Sequence, residues 1–269
     1  MMSNYVNLFK YPGNKMKFLD VVIPLINTAG CSTYIEPFLG SAVIYLNAKS
    51  NRYIVNDTFT VYTDILKMFG SLDYQYIEVF YDFILKNFGN IGKNKESYYK
   101  FRDYVNKLDD SIEKKLGIFY LSRSCINSMV RFGPNGFNQG FGNRGRDIFL
   151  TRDDLEFINN KLKTTTILNT DYKNLIKYNN IDDVIWVLDP PYVDAPIDIY
   201  HNNFNYSEFK DFASSLNGKI LYFDTENDFG DSFFPYKIIL RTMKSISPKS
   251  KHQTKVECLY HNIDFNTLF

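Results

Sequence analysis

One tryptophan, three cysteines and three histidines are all that this chain of 269 residues carries of those types. Cys31, Cys125 and Cys258 are odd in number and far apart, which argues against a disulfide framework and fits a reducing compartment. His201, His252 and His261 have no metal-ligand spacing with one another or with the cysteines, so no metal site is expected. No apolar run approaches the ~20 residues needed to cross a membrane, and the first residues lack the apolar core of a secretion signal. The expected location is the cytoplasm. Strong charge of either sign is also missing. Against 31 Lys and Arg stand 30 Asp and Glu, a net +1, which excludes a polybasic nucleic-acid coat and confines any DNA-binding surface to local clustering. No G-x-G-x-x-G opens a helix after any of the strands predicted below, and G-x-x-x-x-G-K-[ST] does not occur. Dinucleotide and nucleoside triphosphate binding thereby lose their main support.

What the chain has in excess is aromatic residues, 24 Phe and 21 Tyr. Most sit in apolar runs and read as core filling, and an AT-rich genome would favour the same codons. Hydrophobic residues at 45% and charged residues at 23% are otherwise ordinary for a globular protein. Thr33-Tyr34-Ile35-Glu36, Arg52-Tyr53-Ile54-Val55 and Val184-Ile185-Trp186-Val187-Leu188 predict buried strands, and Lys219–Phe223 and Tyr236–Leu240 are strand-like. Short apolar strands alternating with helical patterns point to a doubly wound α/β core with a parallel sheet. Between Val61 and Leu121 the apolar residues recur at helical spacing, as at Ile65, Met68 and Phe69 and again at Ile77, Phe80, Phe83 and Ile84. That stretch predicts a helical insertion. The glycine-rich segment from Arg131 to Arg146 follows it and predicts a functional loop.

Three acidic residues, Glu36, Asp57 and Asp189, fall at predicted strand ends, where ligands bind in open α/β sheets. The turn Pro37-Phe38-Leu39-Gly40-Ser41 brings backbone near a ligand, with glycine at position 40 removing a blocking side chain. An acidic residue ending the next strand suits a ribose hydroxyl pair. This is nucleoside geometry without phosphate machinery, and S-adenosylmethionine, an adenosine bearing a sulfonium, fits it.

Asp189-Pro190-Pro191-Tyr192 carries the sharpest chemistry. Two prolines fix φ and donate no hydrogen bond, so they make a rigid corner at the strand end. The corner can present the Asp189 carboxylate and the Pro190 carbonyl as paired acceptors. An aromatic amine is a poor nucleophile because its lone pair is delocalised into the ring. Two acceptors on its hydrogens favour the pyramidal form and stabilise the charge that develops on methylation. Tyr192 can stack on a base swung out of a duplex.

These segments together resemble the Dam-type (D12 class) adenine methyltransferases, particularly their short phage-like members. Phe9-Lys10-Tyr11-Pro12-Gly13-Asn14-Lys15 resembles the opening K-[WY]-x-G-[GN]-K motif, and Glu36–Val43 resembles the E-P-F-x-G-x-G-x-V cofactor loop. Asn56-Asp57 stands at the acidic second strand end. Arg131-Phe132, Gly136, Asn138 and Phe141-Gly142 resemble the R-Y…G-x-F-N…F-G recognition segment, and Glu257–Asn262 the closing E-x-L-x-x-N strand. Two departures stand out, Ala42 where the family often has glycine and Tyr11 where many members have tryptophan. Asp224-Thr225-Glu226-Asn227 matches the usual serine-asparagine stretch poorly.

The resemblance implies a class I S-adenosylmethionine-dependent methyltransferase fold, a doubly wound mixed seven-stranded sheet whose final hairpin adds an antiparallel strand, with an inserted helical DNA-recognition domain. On that basis residues 1–60 and 165–269 form the catalytic domain, and 61–164 the target-recognition domain with a DNA-reading loop at 126–146. Tyr11, Lys15, Glu36, Phe38, Gly40, Asp57 and Asp189 are then cofactor residues, and Asp189, Pro190, Pro191 and Tyr192 the catalytic element. Arg131 is the choice for reading guanine through a bidentate contact, with Lys10, Asn127, Asn138 and Arg144 as further DNA contacts. A structural Arg131, salt-bridged at the base of its loop, is the alternative. Lys237, Arg241, Lys244, Lys249, Lys251 and Lys255 form a basic stretch, either a solvated loop or a clamp on phosphates. The expected activity is site-specific N6-adenine methylation of double-stranded DNA, by base flipping and direct transfer, at GATC, by a monomer or weak dimer without metal. Cytosine-N4 methylation, RNA adenine methylation and an inactive DNA-binding relative are the alternatives.

Overall fold

Val184–Leu188 forms strand β6, and all five of its residues are buried. A strand with no polar face is stable only where both faces of its sheet are covered. β6 occupies the middle of such a sheet, with β1 (Thr33–Glu36) on one side and β7 (Lys219–Thr225) on the other, both parallel to it. β2 (Arg52–Asn56) runs parallel to β1 on its far side. With β5 (Thr165–Leu168), β8 (Tyr236–Lys244) and β9 (Thr254–His261) the described residues complete a seven-stranded sheet of order β5-β2-β1-β6-β7-β9-β8. β9 is antiparallel to both β7 and β8, so the sheet is mixed, as expected. A separate two-stranded hairpin joins β3 (Phe132–Gly133) to β4 (Gly136–Phe137). The computed structural model describes residues 5–9, 13–143, 148–192, 204–244 and 254–264.

The chain divides into two compact units. The sheet unit comprises Asp20–Leu39, Ala48–Thr58 and Leu168–Phe269. Its helices are α1 (Leu19–Ala29), most of which lies in this unit, α8 (Tyr206–Ser215) and α9 (Asp228–Phe233), with a 3-10 segment at Tyr172–Tyr178. One buried cluster joins strand residues Ile35, Ile54, Trp186, Leu188 and Tyr222 to Phe209 and Phe212 of α8 and to Tyr172. The lone tryptophan, Trp186, is fully buried and donates its indole N–H to the Asn217 carbonyl at 3.0 Å, so no polar group is stranded there.

The helical unit comprises Met1–Leu19, Gly40–Asn47 and Phe59–Ile167. It holds the short α2 (Val43–Asn47) and the longer α3 (Thr60–Ser71), α4 (Tyr74–Phe88), α5 (Lys95–Lys107), α6 (Ile112–Ser124) and α7 (Arg152–Lys163). Asp73, Asn94 and Ser111 accept a backbone N–H of the first turn of α4, α5 and α6, which explains where these helices begin. The helical pattern expected from Val61 to Leu121 is thus α3 to α6. α7 was not anticipated, although Thr151 and Asp154 form a reciprocal cap at its start. Arg123 on α6 is buried, and its guanidinium donates to the carbonyls of Asn7, Leu8 and Ile148 at 2.8, 2.5 and 2.5 Å. A buried cation held by three carbonyls pins the N-terminal segment and residue 148 to α6.

Candidate active site

Because β1, β2 and β6 are parallel and adjacent, their carboxyl ends share one edge of the sheet. Glu36 ends β1, Asn56 ends β2 with Asp57 next, and Asp189 follows β6. Glu36 is buried, and the Tyr34 hydroxyl, two residues back on the same face, donates to its Oε2 at 2.7 Å. Asn56 is fully buried. Its Nδ2 donates to the Pro37 and Thr170 carbonyls at 2.9 and 3.0 Å, its Oδ1 accepts the Thr170 N–H at 3.0 Å, and its own carbonyl accepts the Leu39 N–H at 2.9 Å. One side chain and its backbone therefore clamp the turn after β1 to the end of β2. Asp57 is half-buried, and its carbonyl accepts from the Asn169 amide at 2.7 Å. Phe38 is packed against Tyr172 with ring centres 5.0 Å apart and edge-on to Phe204 and Phe209, so much of that ring serves the core of the sheet unit.

At the end of β6, Pro190 is buried while Asp189, Pro191 and Tyr192 are half-buried. The Tyr206 hydroxyl, at the start of α8, donates to the Pro191 carbonyl. Tyr192 donates its own hydroxyl to Oε1 of Glu257 at 2.6 Å. Burial, then the negative charges of Asp189 and Glu257, push the Tyr192 phenol far above its ordinary range, so it stays protonated and acts as a donor. Next to β6, Tyr222 of β7 donates to Asp224, which is fully buried and also accepts the Thr225 N–H at 2.7 Å. Burial and the Asp224 charge likewise raise the Tyr222 phenol.

Lys15 and Gly40 belong to the helical unit. Lys15 is buried, with Nζ donating to the Gly13 carbonyl at 3.2 Å. Gly40 has φ +48° and Ala42 φ +60°, both in the left-handed region. In the same unit Arg131 and Asn138 flank the β3–β4 hairpin and come together, Arg131 Nε donating to Asn138 Oδ1 at 2.8 Å. An acid partner for Arg131, the structural alternative, is not found among the described residues; its ion-pair place is taken by the Asn138 amide. The hairpin is seated on α5 by Asn106, which accepts the Phe137 N–H at 2.8 Å and donates to the Phe137 carbonyl at 3.0 Å. The loop's return leg is pinned by Ile126 N–H to Gly140 and Gly142 N–H to Ser124. A Cβ on Gly142 would lie 2.4 Å from the Cys125 carbonyl oxygen, so only glycine fits there. Asn127 is exposed, at φ +54°. Lys10, Tyr11 and Arg144 lie outside the described residues.

Asn56, Tyr206, Asp224 and Glu257 carry the polar framework of the strand ends, and none was singled out from the sequence as a site residue. Asn56 stands beside Asp57 and Glu257 opens the closing motif, so both were within reach of motif reading. Tyr206 had no such signal. The basic stretch resolves in part. Lys237 is paired with Glu226 at 2.8 Å and Asp231 at 2.7 Å, and Arg241 with Glu257 at 2.6 Å, so acids of their own unit engage both. Lys249 and Lys251 lie outside the described residues. No helix among the described residues is long and apolar enough to cross a membrane. Among the same residues no group of three or more His, Cys, Asp and Glu side chains could hold a metal ion.

The strand order, with one antiparallel strand inserted next to the last, is the arrangement of a class I S-adenosylmethionine-dependent methyltransferase. A family model described as D12 class N6 adenine-specific DNA methyltransferase matches residues 11–255, and the chain belongs to that family. It is 26% identical over 190 residues to the DNA adenine methylase of Haemophilus influenzae, covering 70% of this chain and 63% of that protein. It is 28% identical over 194 residues to the type II methyltransferase M.CviBI of Paramecium bursaria Chlorella virus NC1A, covering 69% and 68%. With the DNA adenine methylase of Escherichia coli it shares 24% identity over 202 residues, covering 72% and 69%. The chain thus spans slightly under two thirds of the Haemophilus relative it matches.

Proposed function

We propose that this chain binds S-adenosylmethionine and methylates N6 of adenine in duplex DNA, with GATC the expected target. The observation that carries the reading is the Asp189–Tyr192 corner beside the acidic ends of the two neighbouring parallel strands. The donor set suits the cofactor. Glu36 and Asp57 offer carboxylates to nucleoside hydroxyls, and the turn at Pro37–Leu39, held by Asn56, carries no phosphate-binding motif. Bound there, S-adenosylmethionine supplies an electrophilic methyl group on its sulfonium.

The chain's own residues supply the rest. The Asp189 carboxylate accepts one hydrogen of the adenine amine and the Pro190 carbonyl the other. The amine then pyramidalises, its lone pair is exposed, and the positive charge that grows on N6 meets two fixed acceptors. Tyr192 stacks on the extruded base, which offsets part of the few kcal/mol that unpairing costs. No side chain forms a covalent bond to the substrate, and the proton that N6 sheds after methyl transfer passes to the Asp189 carboxylate and on to solvent. In the helical unit, Arg131 reads guanine through O6 and N7, with Asn127 and Asn138 as neighbouring contacts. Support for DNA as the substrate comes from the family and from relatives named for adenine methylation.

Expression in cells free of adenine methylation, followed by sequencing of modified bases, tests base, position and site together. N6-methyladenine at one short motif, lost in Asp189→Ala, is the expected result. N4-methylcytosine, modification of RNA alone, or no modification would overturn the reading.

A further inference from the structure

Glu257 sits on β9, is 2% exposed, and has both carboxylate oxygens occupied. Oε1 accepts the Tyr192 hydroxyl at 2.6 Å and Oε2 accepts the Arg241 Nε–H at 2.6 Å. The Arg241 contact depends on an irregularity in the sheet. β8 and β9 pair Ile239 with Cys258, yet the next pair is Arg241 with Glu257, so Leu240 is an extra residue in β8. In an unbroken antiparallel ladder Leu240 would stand opposite Glu257. The bulge substitutes a cation for an aliphatic side chain at that position, which is how bulges re-aim side chains near functional sites. A buried carboxylate needs a partner of opposite charge, and here the register supplies it.

Tyr192 is held at two ends. Its backbone belongs to the proline corner, where the Tyr206 hydroxyl also grips the Pro191 carbonyl, and its hydroxyl is tied to Glu257. With both ends fixed, the ring cannot swing about the corner without breaking a hydrogen bond to a charged acceptor.

We propose that Glu257 is a positioning residue that fixes the Tyr192 ring for stacking on the target base, with Arg241, delivered by the bulge at Leu240, holding the carboxylate in place. The inference rests on the reading of Asp189–Tyr192 as the methyl-transfer element. It adds a role for the last strand pair of the sheet, which otherwise lies outside the chemistry.

The test uses the full chain, tritiated S-adenosylmethionine and a duplex containing the target, with kcat and both KM values measured. In parallel, a duplex carrying 2-aminopurine at the target position reports on the extruded base by fluorescence. Tyr192→Phe keeps the ring and removes only the tether. We expect kcat to fall by about tenfold to a hundredfold, as for loss of a hydrogen bond to a charged group, with KM for the cofactor within about twofold. The 2-aminopurine signal should change from that of the wild type. Glu257→Gln leaves one amide oxygen where two donors, Tyr192 and Arg241, compete, so it should reproduce part of the kcat loss, and the double variant should be no worse than the weaker single variant. A kcat unchanged in Tyr192→Phe, or losses that multiply in the double variant, would overturn the proposal. Should Glu257→Gln fail to fold, Tyr192→Phe alone decides, since it removes one oxygen atom. A wild-type chain that transfers no methyl group to DNA would overturn this proposal together with the reading beneath it, whereas an active wild type with an indifferent tether would overturn this proposal alone.

Discussion

Arg131 and Asn138, seven residues apart on either side of the β3–β4 hairpin, are joined side chain to side chain, Nε to Oδ1 at 2.8 Å, and the Asn138 N–H returns to the Arg131 carbonyl at 3.0 Å. The guanidinium Nε–H is therefore committed within the protein, and the Nη1 and Nη2 fork is the part suited to a guanine edge. Arg131→Ala should cost about 1–3 kcal/mol of discrimination at the contacted base pair, roughly fivefold to 150-fold in relative kcat/KM. Asn138→Ala, which frees the arginine without removing it, should lose part of that discrimination while leaving salt-dependent binding to unrelated DNA unchanged. Rates on duplexes altered one base pair at a time measure both. Equal losses on every sequence would mean that Arg131 contacts phosphate.

A second prediction concerns Asn56. Its three side-chain hydrogen bonds lie in a fully buried place, so Asn56→Ala leaves the Pro37 and Thr170 carbonyls and the Thr170 N–H without that partner. Unmade buried hydrogen bonds are expensive, and the expected destabilisation is on the order of 2–4 kcal/mol. Because the clamp sets the turn that follows Glu36, affinity for S-adenosylhomocysteine should also fall. Chemical denaturation and titration calorimetry measure the two effects, and a variant with wild-type values in both would dismiss the clamp.

Much of the fold was legible in the sequence because the central strands are apolar on both faces. Val184–Leu188 and Thr33–Glu36 could hardly be anything else, and the acidic residues at their ends marked the ligand edge. α7 escaped because its sequence is largely polar, with its buried apolar residues limited to Leu155, Ile158 and Leu162. The Glu257–Tyr192 bond escaped for a different reason. It joins residues 65 positions apart and depends on strand register and on one bulged residue, neither of which periodicity encodes. The pairing of Lys237 with Glu226 and Asp231 shows the same limit, since that one lysine of the basic run is engaged by acids from the neighbouring loop and helix.

Ala42 offers a third test, where magnitudes of opposite sign compete. It is fully buried at φ +60°, at the position where related sequences often carry glycine. The left-handed conformation costs a residue with a Cβ about 1–2 kcal/mol. Removing the methyl group forfeits about 0.8 kcal/mol of burial, and the freer unfolded glycine costs about 0.5–1 kcal/mol more. Ala42→Gly should therefore be neutral to within about 1 kcal/mol. Ala213, equally buried but inside α8, has no strain to relieve, and Ala213→Gly should cost on the order of 2 kcal/mol. Denaturation midpoints compare the pair directly, and equal losses would show that position 42 carries no strain.

His261, at the end of β9, gives a prediction in pH. Its ring is buried and stacked on Tyr236, with centres 5.1 Å apart and planes at 19°. Burial lowers its pKa below the ordinary imidazole value, and a hydrogen bond to the backbone at Ile263 opposes the shift only in part. The unfolded chain takes up this proton near pH 6.5, while the folded chain resists until the pH is lower. Between those two points the unfolded state binds more protons, so stability falls as pH drops, with a slope of at most about 1.4 kcal/mol per pH unit from this one group. Well above pH ~6.5 the ring is neutral in both states and contributes no slope. His261→Phe keeps an aromatic ring against Tyr236 and removes the titration. Unfolding free energies measured from pH 7.5 to 5.5 should decline less steeply in the variant than in the wild type, and parallel curves would show that the imidazole meets its proton equally well in both states.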